Sequence, residues 1–171
     1  MEGPLFDLPL IDARHPFHLH HMEMALEEAA LAATEDEVPV GAVIVSFREG
    51  VIGRAHNQRE LLRDPTAHAE MIAITQAAQA LRCWRLDRCV LYVTLEPCPM
   101  CAGAIVQVRL ARVVYGASDP KAGAAGSALN LLQFPTFNHR CEITRGVREA
   151  ECRELLQSFF AERRIKNKEE D

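Results

Sequence analysis

The sequence predicts one α/β domain, a three-layer α/β/α sandwich around a central mixed five-stranded sheet. Three observations predict it. Short apolar, β-branched runs such as 40–45 and 89–94 are interleaved with stretches of amphipathic helical spacing. The first two strand-like runs lie close enough for a hairpin, and strands alternate with helices after it. The 171 residues contain no repeat, linker or composition break, so the domain is read as 17–165, preceded by an irregular arm (1–16) and followed by a charged tail (166–171).

The arm carries prolines at 4, 9 and 16. Met22, Leu26, Ala29 and Ala33 then mark one face of a helix over 17–33, with Glu23, Glu27 and Glu28 on its polar side. Residues 40–45 read as a buried strand, Gly50 as a turn, and 51–57 as the returning strand. Asp64-Pro65-Thr66 supplies start chemistry for a helix running to about Leu81. A third strand over 89–94 leads into Glu96-Pro97-Cys98-Pro99-Met100-Cys101 and a helix to about Val108. A strand over 112–115, a Gly/Ala-rich structured loop over 116–127, a strand over 142–144 and a helix over 147–164 complete the chain.

Composition excludes several classes. The chain is 49% hydrophobic with 19 basic and 24 acidic residues, which rules out global disorder. No apolar run approaches the roughly 18 residues of a membrane helix. The first residues lack a basic n-region and do not read as a signal peptide, so six reduced cysteines in the cytoplasm are expected. Cys83, Cys89, Cys141 and Cys152 are expected to be small buried hydrophobes. The formal charge of −5 argues on its face against nucleic acid. Yet residues 1–85 carry 13 acids and 7 bases, whereas 86–171 carry 11 and 12. A local basic surface in the second half is therefore compatible with the acidic whole.

Chemistry concentrates in His68-Ala69-Glu70 and in Cys98 and Cys101. The two cysteines are three apart and share a face of a helical turn, where the positive helix end favours thiolates. One His and two Cys make three zinc ligands, which leave a position for water as in catalytic sites. Glu70 then stands beside the metal, free to take a proton from zinc-bound water and deliver it to a substrate nitrogen. Hydrolytic deamination fits: hydroxide adds to an amidine carbon and ammonia leaves. His-x-Glu alone is common, and a lone Cys-x-x-Cys is equally compatible with redox or structural roles. The two together, in this order and each opening a helix, form the signature of the zinc deaminases.

Val38-Pro39-Val40-Gly41-Ala42-Val43, Asp64-Pro65-Thr66-Ala67-His68-Ala69-Glu70, Thr94-Leu95-Glu96-Pro97-Cys98 with Cys101-Ala102-Gly103-Ala104, and Gly123-Ala124-Ala125-Gly126-Ser127 resemble the bacterial tRNA adenosine deaminases over roughly 17–165. The resemblance implies a cytidine deaminase-like fold and a homodimer with one zinc ion per subunit. It implies conversion of adenosine to inosine at the wobble position of a tRNA anticodon stem-loop. By matching motif positions it implies that Asn57 and the backbone at Ala69 contact the flipped base, and that Asp119 and Lys121 touch its ribose-phosphate. Asn138, His139, Phe160 and Arg163 would line the RNA groove. Ser118 departs from the arginine frequent in that loop. A deaminase of free guanine, cytosine or a nucleotide shares the same metal motif and is the alternative, and a non-catalytic zinc-bearing RNA-binding subunit is a third reading that Glu70 disfavours.

Simpler roles stand beside several of these. Asn57 is also a turn former, and Asp119 before Pro120 a turn initiator. Of Phe159 and Phe160, one is expected in the core and Phe160 on a base. The cluster His15, His18, His20 and His21 is expected on the surface, Glu35-Asp36-Glu37 as a solvated turn, and Trp84 as a packing anchor.

Overall fold

The computed structural model describes residues 12–169, so most of the expected arm lies outside the described residues. Five strands form one sheet in the order β2-β1-β3-β4-β5: β1 (Gly41–Ser46), β2 (Gly50–His56), β3 (Cys89–Leu95), β4 (Arg112–Ala117) and β5 (Glu142–Arg145). The β1–β2 hairpin and the β1–β3 pair are antiparallel, whereas β3–β4 and β4–β5 are parallel. The sheet is thus mixed, as expected. The helices are α1 (Pro16–Thr34), α2 (Arg59–Leu62), α3 (Ala69–Leu81), α4 (Pro99–Gln107) and α5 (Glu149–Glu169).

Burial along β1 and β3 explains their unbroken apolar sequences. Val43, Val45, Val90 and Tyr92 face α1 and α5, packing with Met22, Ala25 and Cys152. Ala42, Ile44, Leu91 and Val93 face the opposite layer, with Ala69, Ala73, Ala102 and Ile105 of α3 and α4. A strand covered on both faces has no solvent side, so its polar alternation vanishes. At Gly41 the chain packs against α1 so tightly that a Cβ would lie 1.9 Å from the Ala25 carbonyl oxygen.

Several expectations are corrected. Asp64 Oδ1 accepts from the Thr66 amide (2.8 Å) and hydroxyl (2.7 Å), closing a turn. Helix α3 starts later, at Ala69, with His68 in the N-cap position. The polar loop before it contains the short helix α2, whose Leu61 amide donates to Glu37 Oε1 at 2.8 Å. Glu37 is therefore only 2% exposed, not part of a solvated turn. His18 and His21 are also buried, because helical spacing puts them on the sheet-facing side of α1 with Met22 and Ala25. His18 Nδ1 lies 2.9 Å from the Tyr92 hydroxyl, and the His21 ring stacks on Tyr92.

Trp84 anchors no packing. It follows the left-handed C-cap of α3 at Arg82 and is 62% exposed; neighbouring Cys83 is exposed too. Cys89, Cys141 and Cys152 are buried as expected. Neither Phe159 nor Phe160 enters the core: Phe159 is half-buried and Phe160 is 43% exposed. Helix α5 runs on through Lys166 and Lys168 to Glu169, where a separate charged tail was expected. Among the described residues, no helix is long and apolar enough to cross a membrane.

Candidate metal centre and pocket

Two helix beginnings meet at the end of the sheet. His68 caps α3; Cys98 caps α4, Pro99 takes the first helical position, and Cys101 lies in the first turn. Proline suits that position because its missing N–H would have no helical partner there. Both sulfurs thus sit where the unpaired N–H groups of a helix stabilise negative charge.

His68 Nδ1 lies 3.6 Å from Cys98 Sγ and 3.5 Å from Cys101 Sγ, and among the described residues these three alone form a group able to hold a metal. Tetrahedral zinc with bonds of about 2.05 Å to nitrogen and 2.3 Å to sulfur separates N from S by about 3.6 Å. The donor set fits that ion in spacing as well as in chemistry. Cys101 and His68 hydrogen-bond to Cys98 and outweigh its burial, holding its thiol down to about 4. Cys101 is pushed up by the same shared contact and by burial. His68 is raised, chiefly by its bond to Cys98.

Glu70, two residues after His68, is buried, and burial raises its carboxyl to about 7. Together His68, Glu70 and Cys98 line a cavity of ≈ 170 Å³, completed by Val38, Val40, Asn57, Arg59, Leu95, Glu96 and Asp119. Pockets that enclose whole drug-sized molecules span about 300–1,000 Å³. This one is smaller than that range.

The other expected contacts divide. Asn57 and Asp119 line the pocket. Asn57 Oδ1 accepts the Ala69 amide at 2.9 Å and its Nδ2 donates to the Val38 carbonyl at 3.2 Å. The Ala69 amide is therefore already engaged and not free for a base, whereas Asn57 keeps one Nδ2 hydrogen. Asp119 Oδ1 accepts the amides of Lys121 and Ala122, so it is a turn former and a pocket residue at once. Lys121 is exposed. Asn138 and His139 lie instead in a groove with Trp84, Arg109 and Phe137, and His139 Nε2 donates to the Leu110 carbonyl. Phe160 lines a second groove with Ser118, Arg153 and Arg164, and Arg163 a third with Asp36 and Phe159. Sequence reasoning missed Arg59 and Glu96. Arg59 was hidden in the loop that became α2, and no periodicity marks a buried acid such as Glu96.

A family model described as MafB19-like deaminase matches residues 17–164. A tRNA-specific adenosine deaminase of Bacillus subtilis (strain 168) is 52% identical over 148 residues, covering 86% of this chain and 91% of its own. The chain belongs to the tRNA-specific adenosine deaminase family. The deaminase also matches a solved structure from a study of A-to-I editing by tRNA:A34 deaminases at the wobble position. There the TM-score is 0.77 and the identity 47%, over 80% of this chain and 99% of that one. A guanine deaminase from Bacillus subtilis shares the fold less closely, with a TM-score of 0.57 and 38% identity over 64% of this chain and 70% of that one. The resemblance read from the motifs is borne out in family and fold.

Proposed function

We propose that this deaminase converts adenosine to inosine at the wobble position of a tRNA anticodon, using one zinc ion held by His68, Cys98 and Cys101. One observation carries the reading: His68 and Cys98 of a zinc-spaced His/Cys/Cys group share a small cavity with the buried acid Glu70. When bound, zinc supplies the Lewis acidity that makes a water nucleophilic at neutral pH. Glu70 receives the proton that this water gives up and delivers it to the ring nitrogen beside the attacked carbon; it then takes the remaining hydroxyl proton and passes it to the amino group, which leaves as ammonia. The water oxygen remains as the carbonyl of inosine. Asn57 holds the base through its remaining Nδ2 hydrogen, and Asp119 and Lys121 meet the sugar and phosphate outside the cavity.

An anticodon loop presents unpaired bases, so one enters such a cavity without the cost of opening a duplex. The three outlying grooves give Asn138, His139, Phe160 and Arg163 a wider RNA footprint, spread over a homodimer. A tRNA substrate and unpaired thiols both suit the cytoplasm. The test offers an anticodon stem-loop with adenosine at the wobble position, beside free guanine and cytidine. Inosine is expected in the RNA alone; turnover of the small molecules without RNA editing overturns the proposal.

A further inference from the structure

Proton transfer makes no use of Glu96, yet it is the most heavily bonded carboxylate among the described residues. It follows β3, precedes Pro97-Cys98, and is only 2% exposed. Oε2 accepts the Asp119 amide at 2.9 Å and the Ser127 hydroxyl. Oε1 accepts the amides of Ala125 at 3.1 Å and Ser127 at 3.0 Å. Two backbone bonds flank it, from the Glu96 amide to the Ala117 carbonyl and from the Ala124 amide to the Pro97 carbonyl, both 2.8 Å. Gly123 presses against the same group: a Cβ there would stand 2.4 Å from Oε2 and 2.5 Å from the Asp119 carbonyl oxygen. The segment 119–127 therefore wraps around one acid, and Asp119 is the member of that segment that lines the pocket.

We infer that Glu96 is a positioning residue for substrate binding. Its carboxylate is the template on which 119–127 folds, and it fixes Asp119 at the pocket so that a base carried on a sugar–phosphate chain is received. This rests on the function proposed above. The chemistry favours a carboxylate specifically. Four donors converge on two oxygens, and only an ionised acid offers acceptors on both sides. A glutamine of equal size would turn an NH₂ group toward N–H or O–H donors and forfeit the bonds on that side.

The experiment is a double-mutant cycle on the zinc-loaded enzyme with the anticodon stem-loop, combining Glu96→Gln with Asp119→Ala. Glu96→Gln alone is expected to raise KM about tenfold with kcat changed less than about threefold, the pattern of lost binding rather than lost chemistry. In the Asp119→Ala background the same substitution should add little, because its effect passes through Asp119. Additive effects, or a fall in kcat with KM unchanged, overturn the inference. If Glu96→Gln does not fold, Ser127→Ala replaces it in the same cycle. That variant removes one hydroxyl donor, and a KM rise that vanishes beside Asp119→Ala is again the supporting result. A wild-type enzyme that leaves the stem-loop unedited overturns the functional reading, and this inference with it. An active wild type with additive variants overturns this inference alone.

Discussion

The side-chain oxygen of Asn57 accepts the backbone N–H of Ala69 at 2.9 Å, tying the end of the β1–β2 hairpin to the first turn of α3. His68 is the residue immediately before that bond and Glu70 the residue immediately after it. The hairpin therefore sets where the helix starts, and the helix start sets where the proposed ligand His68 and the proposed acid Glu70 stand. Asn57→Ala removes the bond to Ala69 and the one to Val38, leaving a buried donor unpaired. A loss of about 1–3 kcal/mol in urea unfolding is expected, with kcat/KM on the stem-loop down at least about tenfold. An unchanged unfolding midpoint would show that the hairpin does not hold the helix.

Glu70 and the three proposed ligands, His68, Cys98 and Cys101, differ in what their loss removes. Cys101→Ser should leave the chain with little zinc, measured as metal per chain after dialysis. Glu70→Gln should keep zinc near one per chain while turnover falls by about 10²–10⁴, the usual contribution of a positioned acid–base group. Zinc lost from the Glu70 variant would make that residue a ligand and end its assignment as proton carrier.

Gly41 is required by the approach of α1. An added methyl carbon would meet Ala25 O at 1.9 Å and Ala29 N at 2.5 Å, both backbone atoms that no side-chain rotation relieves. Gly41→Ala should destabilise the fold by about 1–3 kcal/mol or more, the range for overpacked sites. A melting temperature equal to wild type would contradict the packing described.

His56 bridges two carboxylates, with Nδ1 3.0 Å from Glu28 and Nε2 2.9 Å from Glu35. Burial alone would lower its affinity for a proton, but the hydrogen bonds and charges of Glu28 and Glu35 outweigh it and leave the group raised. A raised histidine stabilises the folded state fully below its ordinary value of about 6.5 and loses that contribution as pH climbs through the folded value. The stability gap between wild type and His56→Gln should therefore be wider near about pH 6 than near about pH 8.5. Equal gaps at both would remove the ion pairs from the account.

What the sequence determined by itself was much of what depends on neighbours along the chain, though not the start of α3 or the short helix α2. The hairpin at Gly50, the alternation of strands with helices, and the pair Cys98 and Cys101 three apart are local patterns, and local physics reads them. His68 and Glu70 were legible because the zinc signature fixes residue types and their spacing. Only the tertiary structure decided which face of α1 is buried, so that His18 and His21 pack on Tyr92 while Trp84 stands in solvent. It also decided the uses of Asn57 and Glu96. Each is a polar side chain whose partners come from distant segments, Ala69 and Val38 for one, Asp119, Ala125 and Ser127 for the other. A buried hydrogen-bond acceptor has no periodicity and no preferred neighbour in sequence. Its role appears only when the chain brings the donors to it.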